Sequence, residues 1–463
     1  MKHLRTLLFF VALAQASLFG QTTKWVSAYY AGWMQSYLPP SAVDFSAVTH
    51  VMHFSIEPTG AGNITGTANG ITSGAIQAVV TAAHAAGKKV LITCGGYGDD
   101  QGFVTCTNST NRTTFVTNLV NFVVNNNYDG LDIDWEPVTS PSQFKLFIPQ
   151  LRAALTAAKP GLLLTIAVLT DDLTVADVAS SFDQINIMTY DMSGAWPGWV
   201  SWFNSPIYDG GFRFPSTNGL VPSADGQVDE FSGAGIPKSK LGIGTDFYGY
   251  IWSGVSQPRQ GWTGSGPTVS GNVAYSDLMN TYSGNPVVWD SAAGAAYISI
   301  TTGSGKFISL DNEQTMAAKA DYIRKKGIGG IIIWELGGGY RANQPAGSRD
   351  KLLQAVKVAF LSSSTPVEPP LANAQPLDFR LDQNFPNPFN PSTTIGYSLP
   401  RAGHVTLKVF DALGNEVATL VDDQKEAGTY RTTFDGSSVA SGTYFYRIQA
   451  GEYMAVKKLL LLK

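Results

Sequence analysis

Residues 129–136 read Asp129-Gly130-Leu131-Asp132-Ile133-Asp134-Trp135-Glu136. Strand side chains point alternately to two faces, so Asp132, Asp134 and Glu136 share one face and Leu131, Ile133 and Trp135 the other. At a rise of about 3.3 Å per residue, neighbours in the acidic row sit about 6.6 Å apart. In a parallel barrel the apolar row packs outward on helices. The carboxyls point inward and climb towards the C-terminal mouth, where barrel active sites lie. Three confined carboxyls cannot all ionise cheaply, because burial and mutual repulsion raise at least one pKa. A proton held at working pH is what a general acid requires. A divalent-metal site is the rival reading, but no His or Asn completes a cage here, and neither metal nor cofactor is expected.

On either side of this stretch, from Lys24 to about Leu361, short β-branched runs alternate with amphipathic segments. Strands are predicted at Trp25–Tyr29, Val48–Ser55, Lys89–Cys94, Gly130–Trp135, Leu162–Leu169, Gln184–Thr189, Lys240–Thr245 and Gly329–Trp334. Helices are predicted at Ile76–Ala86, Arg112–Asn125, Gln143–Ala158, Ala224–Ser232, Glu313–Lys326 and Ser348–Leu361. Eight strands with intervening helices indicate an α/β domain closed as a (β/α)8 TIM barrel. No glycine-rich dinucleotide fingerprint follows the first strand. The connection from Phe247 to Asp311 is too long to be a plain loop and reads as a small α+β insertion, with a strand-like patch at Ala295–Ile300.

The flanks have a different texture. Met1 to about Gln21 reads as a signal peptide: Lys2 and Arg5 precede an apolar run, Leu7–Ala14, and small residues follow. That run is too short for a membrane anchor, and no later stretch reaches spanning length. Residues 362–376 form a Ser/Pro linker. Beyond them, Thr393–Ser398, His404–Phe410, Glu416–Val421, Thr429–Phe434, Gly442–Ile448 and Ala455–Leu461 are short alternating strands of an all-β sandwich at 377–463. The formal charge of −4, or −6 without Lys2 and Arg5, carries no basic footprint for nucleic acid. Aromatics at 11% are plentiful: core and surface packing accounts for most of them, and a saccharide cleft lined by flat rings is the equal alternative. Cys94 and Cys106 are the only cysteines. In an exported chain a disulfide closing this short loop is expected, with two free buried thiols as the alternative.

At its acidic row the chain resembles glycoside hydrolase family 18, the chitinase family, whose fourth strand carries Asp-x-x-Asp-x-Asp-x-Glu. All four acids match, at Asp129, Asp132, Asp134 and Glu136. Thr93-Cys94-Gly95-Gly96 lies where the family has Ser-x-Gly-Gly, with Thr93 in the serine's place. Met188-Thr189-Tyr190-Asp191 matches the sixth-strand motif, and Ile332-Ile333-Trp334-Glu335 the eighth. The insertion resembles the family's chitin insertion domain. The resemblance implies a retaining reaction in which Glu136 is the acid and the substrate's acetamide the nucleophile. It further implies that Asp134 orients the acetamide, that Asp132 shares the proton with Asp134, and that Tyr190 and Asp191 complete the cluster. Trp334, Tyr29, Gly95, Gly96, Met188 and Tyr248 are the implied substrate contacts. Trp33, Trp196, Trp199 and Trp252 are further candidate aromatics, for each of which ordinary packing is an equal reading.

The tail resembles the type A sorting domain of the type IX secretion system. The resemblance rests on the segment Gln383–Ile395, on Val409–Val417, on Ser441–Arg447 and on the terminal Lys457-Lys458-Leu459-Leu460. A carbohydrate-binding module is the other reading of the same strand pattern. The expected partners are therefore chitin or chitooligosaccharides and the type IX machinery, for a monomeric protein secreted to the surface or medium. An endo-β-N-acetylglucosaminidase of the same fold is the rival enzyme, opposed by the insertion. A chitin-binding lectin is the rival from another class, opposed by the presence of Glu136.

Overall fold

A computed structural model describes residues 24–262, 266–361, 379–381, 384 and 387–462. The leader read at 1–21, the linker at 362–376 and Gln383, Phe385 and Pro386 of the tail motif lie outside them. The chain divides into two compact units, the first ending at Ser362 and the second starting at Ser363.

In the first unit eight parallel strands follow one another around a closed sheet. They are Trp25–Ala31, His50–Thr59, Lys89–Gly95, Gly130–Asp134, Leu163–Val168, Gln184–Ile187, Leu241–Asp246 and Gly330–Trp334. The first pairs with both the second and the eighth, which closes the expected barrel. Leu131, Ile133 and Trp135 pack outward in the main core. Trp135 stacks on Phe103 with ring centroids 4.7 Å apart and planes 8° apart. Burying a side chain of this size contributes about 3 kcal/mol.

Local chemistry sets the helix ends. Helix Glu313–Lys326 starts at Asn312, which forms a reciprocal capping box with Thr315, and stops at Gly327, whose φ of 71° is cheap only for glycine. The last helix starts at Lys351 rather than Ser348, because Asp350 accepts from the Leu353 N–H and caps it there. Helix Asp100–Thr107 was not expected. It is short and weakly amphipathic, and Gly102 sits so close to the second strand that a Cβ would lie 2.5 Å from the Pro58 oxygen. Among the described residues no helix is long and apolar enough to cross a membrane.

The disulfide expected between Cys94 and Cys106 is not formed; both are free, buried thiols. Cys94 faces the core from the third barrel strand, and the Cys106 thiol donates instead to the Thr59 carbonyl at 2.8 Å. Burial pushes both thiols up in pKa, away from the reactive thiolate.

The insertion is a five-stranded antiparallel sheet with one helix, Tyr275–Tyr282. Its strands are Tyr248–Ser253, Thr268–Ala274, Val287–Asp290, Ala295–Ile300 and Lys306–Leu310. Val200, Trp202, Phe203 and Val221, from the irregular stretch after the sixth barrel strand, share a core with Trp252 and Phe307 of this sheet. The second unit consists of a three-stranded and a four-stranded sheet. Ile395, Tyr397, Leu407, Tyr446, Ile448 and Leu459 are buried in its core. Strand Gly442–Ala450 alternates buried and exposed residues, as a one-sided sheet requires.

Candidate active site

Strand register assembles the acidic row. Thr93, Asp132 and Thr165 stand side by side on the third, fourth and fifth strands. Both threonine hydroxyls therefore reach Asp132, at 3.2 and 2.5 Å, and the Tyr29 hydroxyl adds a third bond at 2.9 Å. Burial still pushes the Asp132 carboxyl up to about 6, against these three donors. One step nearer the mouth, Asp134 is held well above the usual carboxylate range by burial and then by the charges of Glu136 and Asp132. Glu136, just past the end of the strand, is also raised by burial.

Asp134 and Glu136 are close enough for each to shift the other's carboxyl, and Asp134 Oδ1 is buried with no hydrogen-bond partner among the described residues. Burial and mutual repulsion favour a proton on this pair. The resemblance implies a proton shared between Asp132 and Asp134; Asp134 lies within reach of the charges of both Glu136 and Asp132, and each raises it. Three hydroxyls already occupy Asp132.

Gly95 and Gly96 have φ of 105° and 143°. A Cβ on Gly95 would lie 2.1 Å from the Asp134 oxygen, and the Gly96 N–H donates to that oxygen at 2.9 Å. The two glycines thus let the third strand close on the fourth at Asp134 itself.

Across the mouth, Tyr190 is buried and its hydroxyl has no hydrogen-bond partner among the described residues. Burial, then the charges of Asp134 and Asp191, hold its pKa well above the ordinary value, so it remains a donor. A buried donor without an acceptor costs about 1–3 kcal/mol, which a ligand oxygen would recover. Met188 packs beneath it with Tyr29 and Ile332. Asp191 is exposed, and its Oδ1 accepts from the Tyr248 and Tyr250 hydroxyls at 2.7 and 2.9 Å. Tyr250 was missed in the sequence, although its two-residue spacing from Tyr248 on one strand was available as a signal.

Trp334 is half-buried, with its ring 5.3 Å from Tyr29 and 4.8 Å from Phe54, another residue not anticipated. Tyr29 is 1% exposed, so it lies under the floor and acts on Asp132. Trp33 and Trp196 are 48% and 46% exposed, and Trp199 packs edge-on against Trp196. Trp252 is fully buried in the insertion core and cannot line a cleft. A cavity of about 260 Å³ opens beside Glu136, between Tyr97, Pro137, Val138 and Leu169. Glu335, the acid next to Trp334, accepts from the Gly337 N–H and caps the turn Leu336–Gly339. Among the described residues no group of His, Cys, Asp or Glu is arranged to hold a metal ion. The arrangement can deliver a proton from a buried carboxyl pair, donate a hydrogen bond from a phenol, and stack a flat ring on an indole.

Residues 26–339 match the family described as glycosyl hydrolases family 18, and residues 383–462 match the secretion system C-terminal sorting domain. Chitinase A1 of Niallia circulans is 32% identical over 320 residues, which are 61% of this chain and 44% of that protein. The chain thus spans less than half the length of that relative. The group IV chitinase of Ostrinia furnacalis, solved with allosamidin, has the same fold at a TM-score of 0.62 and 23% identity, over 72% of this chain and 98% of that one. Chitinase ChiA74 of Bacillus thuringiensis reaches a TM-score of 0.62 at 20% identity, over 95% of this chain and 85% of that one.

Proposed function

The chain belongs to family 18 of the glycosyl hydrolases, and from that membership we propose that it is an exported chitinase. It hydrolyses β-1,4 links between N-acetylglucosamine units with retention, using the substrate's own acetamide as nucleophile. The observation that carries this reading is the pair of buried carboxyls Asp134 and Glu136, both held above the usual carboxylate range, beside the unpartnered Tyr190 hydroxyl.

Glu136 gives the proton to the leaving glycosidic oxygen as the bond to C1 breaks. The acetamide carbonyl oxygen closes on C1, and the positive charge spreads over the resulting oxazolinium ring. Asp134 orients the acetamide N–H and stabilises that charge in a dry site, where a fixed carboxyl acts strongly. Tyr190 donates to the acetamide oxygen, and Asp191 supports the same group, held by Tyr248 and Tyr250. Glu136, now ionised, takes a proton from the water that opens the ring. Trp334 supplies the stacking floor under the reacting sugar. The capping role of Glu335 supports a scheme without a second enzyme carboxylate.

The sorting domain marks the chain for export to the cell surface or beyond. A leader at 1–21, a linker at 362–376 and a sorting unit at 377–463 belong to the same proposal. In the native host, truncation after Ser364 is expected to leave an active barrel that accumulates in the periplasm. Unchanged secretion with weaker binding to insoluble chitin would identify the tail as a carbohydrate-binding module instead.

The deciding experiment is digestion of chitin oligomers of increasing length, with product anomers read at early times. The β-anomer should appear first, and fully deacetylated chitosan should resist cleavage. Early α-anomer, or brisk cleavage of the deacetylated polymer, would overturn the mechanism.

A further inference from the structure

Thr189–Asp191 lies beyond the sixth barrel strand, which ends at Ile187; the Thr189 hydroxyl bonds the Gly244 backbone of the seventh strand, but no ladder holds the peptides on either side of Tyr190. Asp191 also has a φ of 59°, a left-handed conformation that costs a non-glycine residue about 1 kcal/mol or more unless its surroundings impose it. Both peptide groups that flank Tyr190 are nevertheless pinned from one direction. The Asp191 N–H donates to Asn204 Oδ1 at 2.9 Å, and the Thr189 carbonyl accepts from the Ser205 hydroxyl at 2.6 Å.

Asn204 and Ser205 are held in turn by charges. Asn204 Nδ2 donates to Asp246 Oδ2 at 2.5 Å, and Lys319 Nζ donates to Ser205 Oγ at 2.7 Å. Asp311 lies between the two halves: it accepts from Lys319 at 2.5 Å and from Thr245 Oγ1 at 2.6 Å, and its charge acts on Asp246. Asp311 faces the lysine, while burial and then the Asp311 charge raise the Asp246 carboxyl. Asp246 is 1% exposed, and the Lys319 and Asp311 side chains are 0% and 4% exposed.

We propose that Asp246, Asp311 and Lys319 form a buried clamp that, through Asn204 and Ser205, sets the position of the Tyr190 hydroxyl and the Asp191 carboxylate. These five are positioning residues; none is placed to touch substrate. The clamp ties the stretch after the sixth strand to the end of the seventh, to the exit of the insertion and to helix Glu313–Lys326. The members bond one another through Asn204–Asp246, Lys319–Ser205 and Lys319–Asp311, so removal of any of these leaves a buried polar group unmatched. The role given to Tyr190 rests on the reading above.

The test uses the full chain with Asp246→Leu, Asp246→Asn and Asn204→Ser. It reads kcat and KM on chitin oligomers, and amide hydrogen exchange over residues 188–205. Asp246→Leu should lower kcat about a hundredfold with KM little changed, as small misplacements of reacting groups do. Asp246→Asn keeps the shape and an oxygen that can accept from Asn204, so it should stay within about threefold of the parent. Exchange at 189–192 should quicken in Asp246→Leu and Asn204→Ser and remain at the parent level in Asp246→Asn. Asn204→Ser leaves the charged triad intact and decides the matter if Asp246→Leu does not fold. Parent kcat and parent exchange in a folded Asp246→Leu or Asn204→Ser would overturn the clamp, as would equal losses in the two Asp246 variants. If the parent protein cleaves no chitin oligomer, the proposed function fails while the exchange comparison still decides the clamp.

Discussion

At the N-terminal end of the barrel, Asp129 meets the Lys89 ammonium at 2.9 Å, the His84 ring at 2.8 Å and the Val90 N–H at 2.9 Å. At the C-terminal end of the same strand, Asp134 meets the carboxyl of Glu136 and the charge of Asp132. The two residue types are identical and five positions apart, yet their carboxyls shift in opposite directions. Burial raises both, but at Asp129 the bonds from Lys89, Val90 and His84 outweigh it and leave the pKa lowered. At Asp134 the neighbouring acids add to burial and raise it further. One end of the barrel uses its acid to hold a strand to a helix; at the other, burial and neighbouring acids push the carboxyl towards its protonated form. This division between a structural bottom and a chemical top is general to the fold, and here it falls within one octapeptide.

The largest effect that could break this contrast comes from Glu136→Gln. It should reduce hydrolysis about a thousandfold or more, since shape and hydrogen bonding survive while the transferable proton is lost. Calorimetry should show oligosaccharide binding retained, and parent-like turnover would remove Glu136 from its role. Asp134→Asn should cost about a hundredfold to a thousandfold in kcat, through lost charge stabilisation. Cleavage assays in which this variant matched the parent would make the Asp134–Glu136 pair incidental.

The pH profile sharpens the same contrast with a smaller effect. In the proposed mechanism Glu136 delivers the proton, so kcat/KM should fall as pH rises through the raised pKa of the Asp134–Glu136 pair. An ionised Asp132 helps to keep the proton there, because its charge raises Asp134. Asp132→Asn removes that charge and should move the alkaline limb to lower pH. An unmoved limb in a variant that still turns over would show that the two carboxyls do not communicate.

Asp129→Asn is the smallest change and the control for the other end. It should lower stability by about 1–2 kcal/mol, read as a shift in the urea midpoint, with kcat unchanged. The Lys89 ammonium is half exposed, so most of that loss comes from the Val90 and His84 bonds. The sign follows from the lowered folded pKa: the contribution is present above the unfolded pKa and lost as pH falls through the folded one. The stability difference between parent and variant should therefore shrink in acid. A loss of kcat in a stable Asp129→Asn protein would contradict the separation of the two ends.

Short-range periodicity in the sequence was sufficient for the barrel strands. Short β-branched apolar runs made all eight legible, with ends displaced by only a few residues, and alternation sorted the two faces of 130–136. The capped helix Glu313–Lys326 was legible to the residue, because its Asn312 start and Gly327 stop are local signals. The sorting tail was legible for the same reason, as alternating strands between turns. The roles of Gly95 and Gly96 were less so. A glycine pair in sequence announces freedom of φ, but its closeness to Asp134 exists only once two strands are in register.

What only the tertiary structure decided are contacts across long stretches of chain. The burial of Asp134 and of Trp252, the three hydroxyls on Asp132 and the free state of Cys94 and Cys106 all depend on which strands are neighbours and how their side chains turn. Lys319 looks in sequence like one more lysine on a charged helix. Folding places it 75 residues from the Gly244 carbonyl and 114 from Ser205 in sequence, within hydrogen-bond reach of both. Side-chain periodicity is a property of one segment and can be read from it. Proton placement and the pinning of Tyr190 are properties of several segments closing on one another, and no single segment carries them.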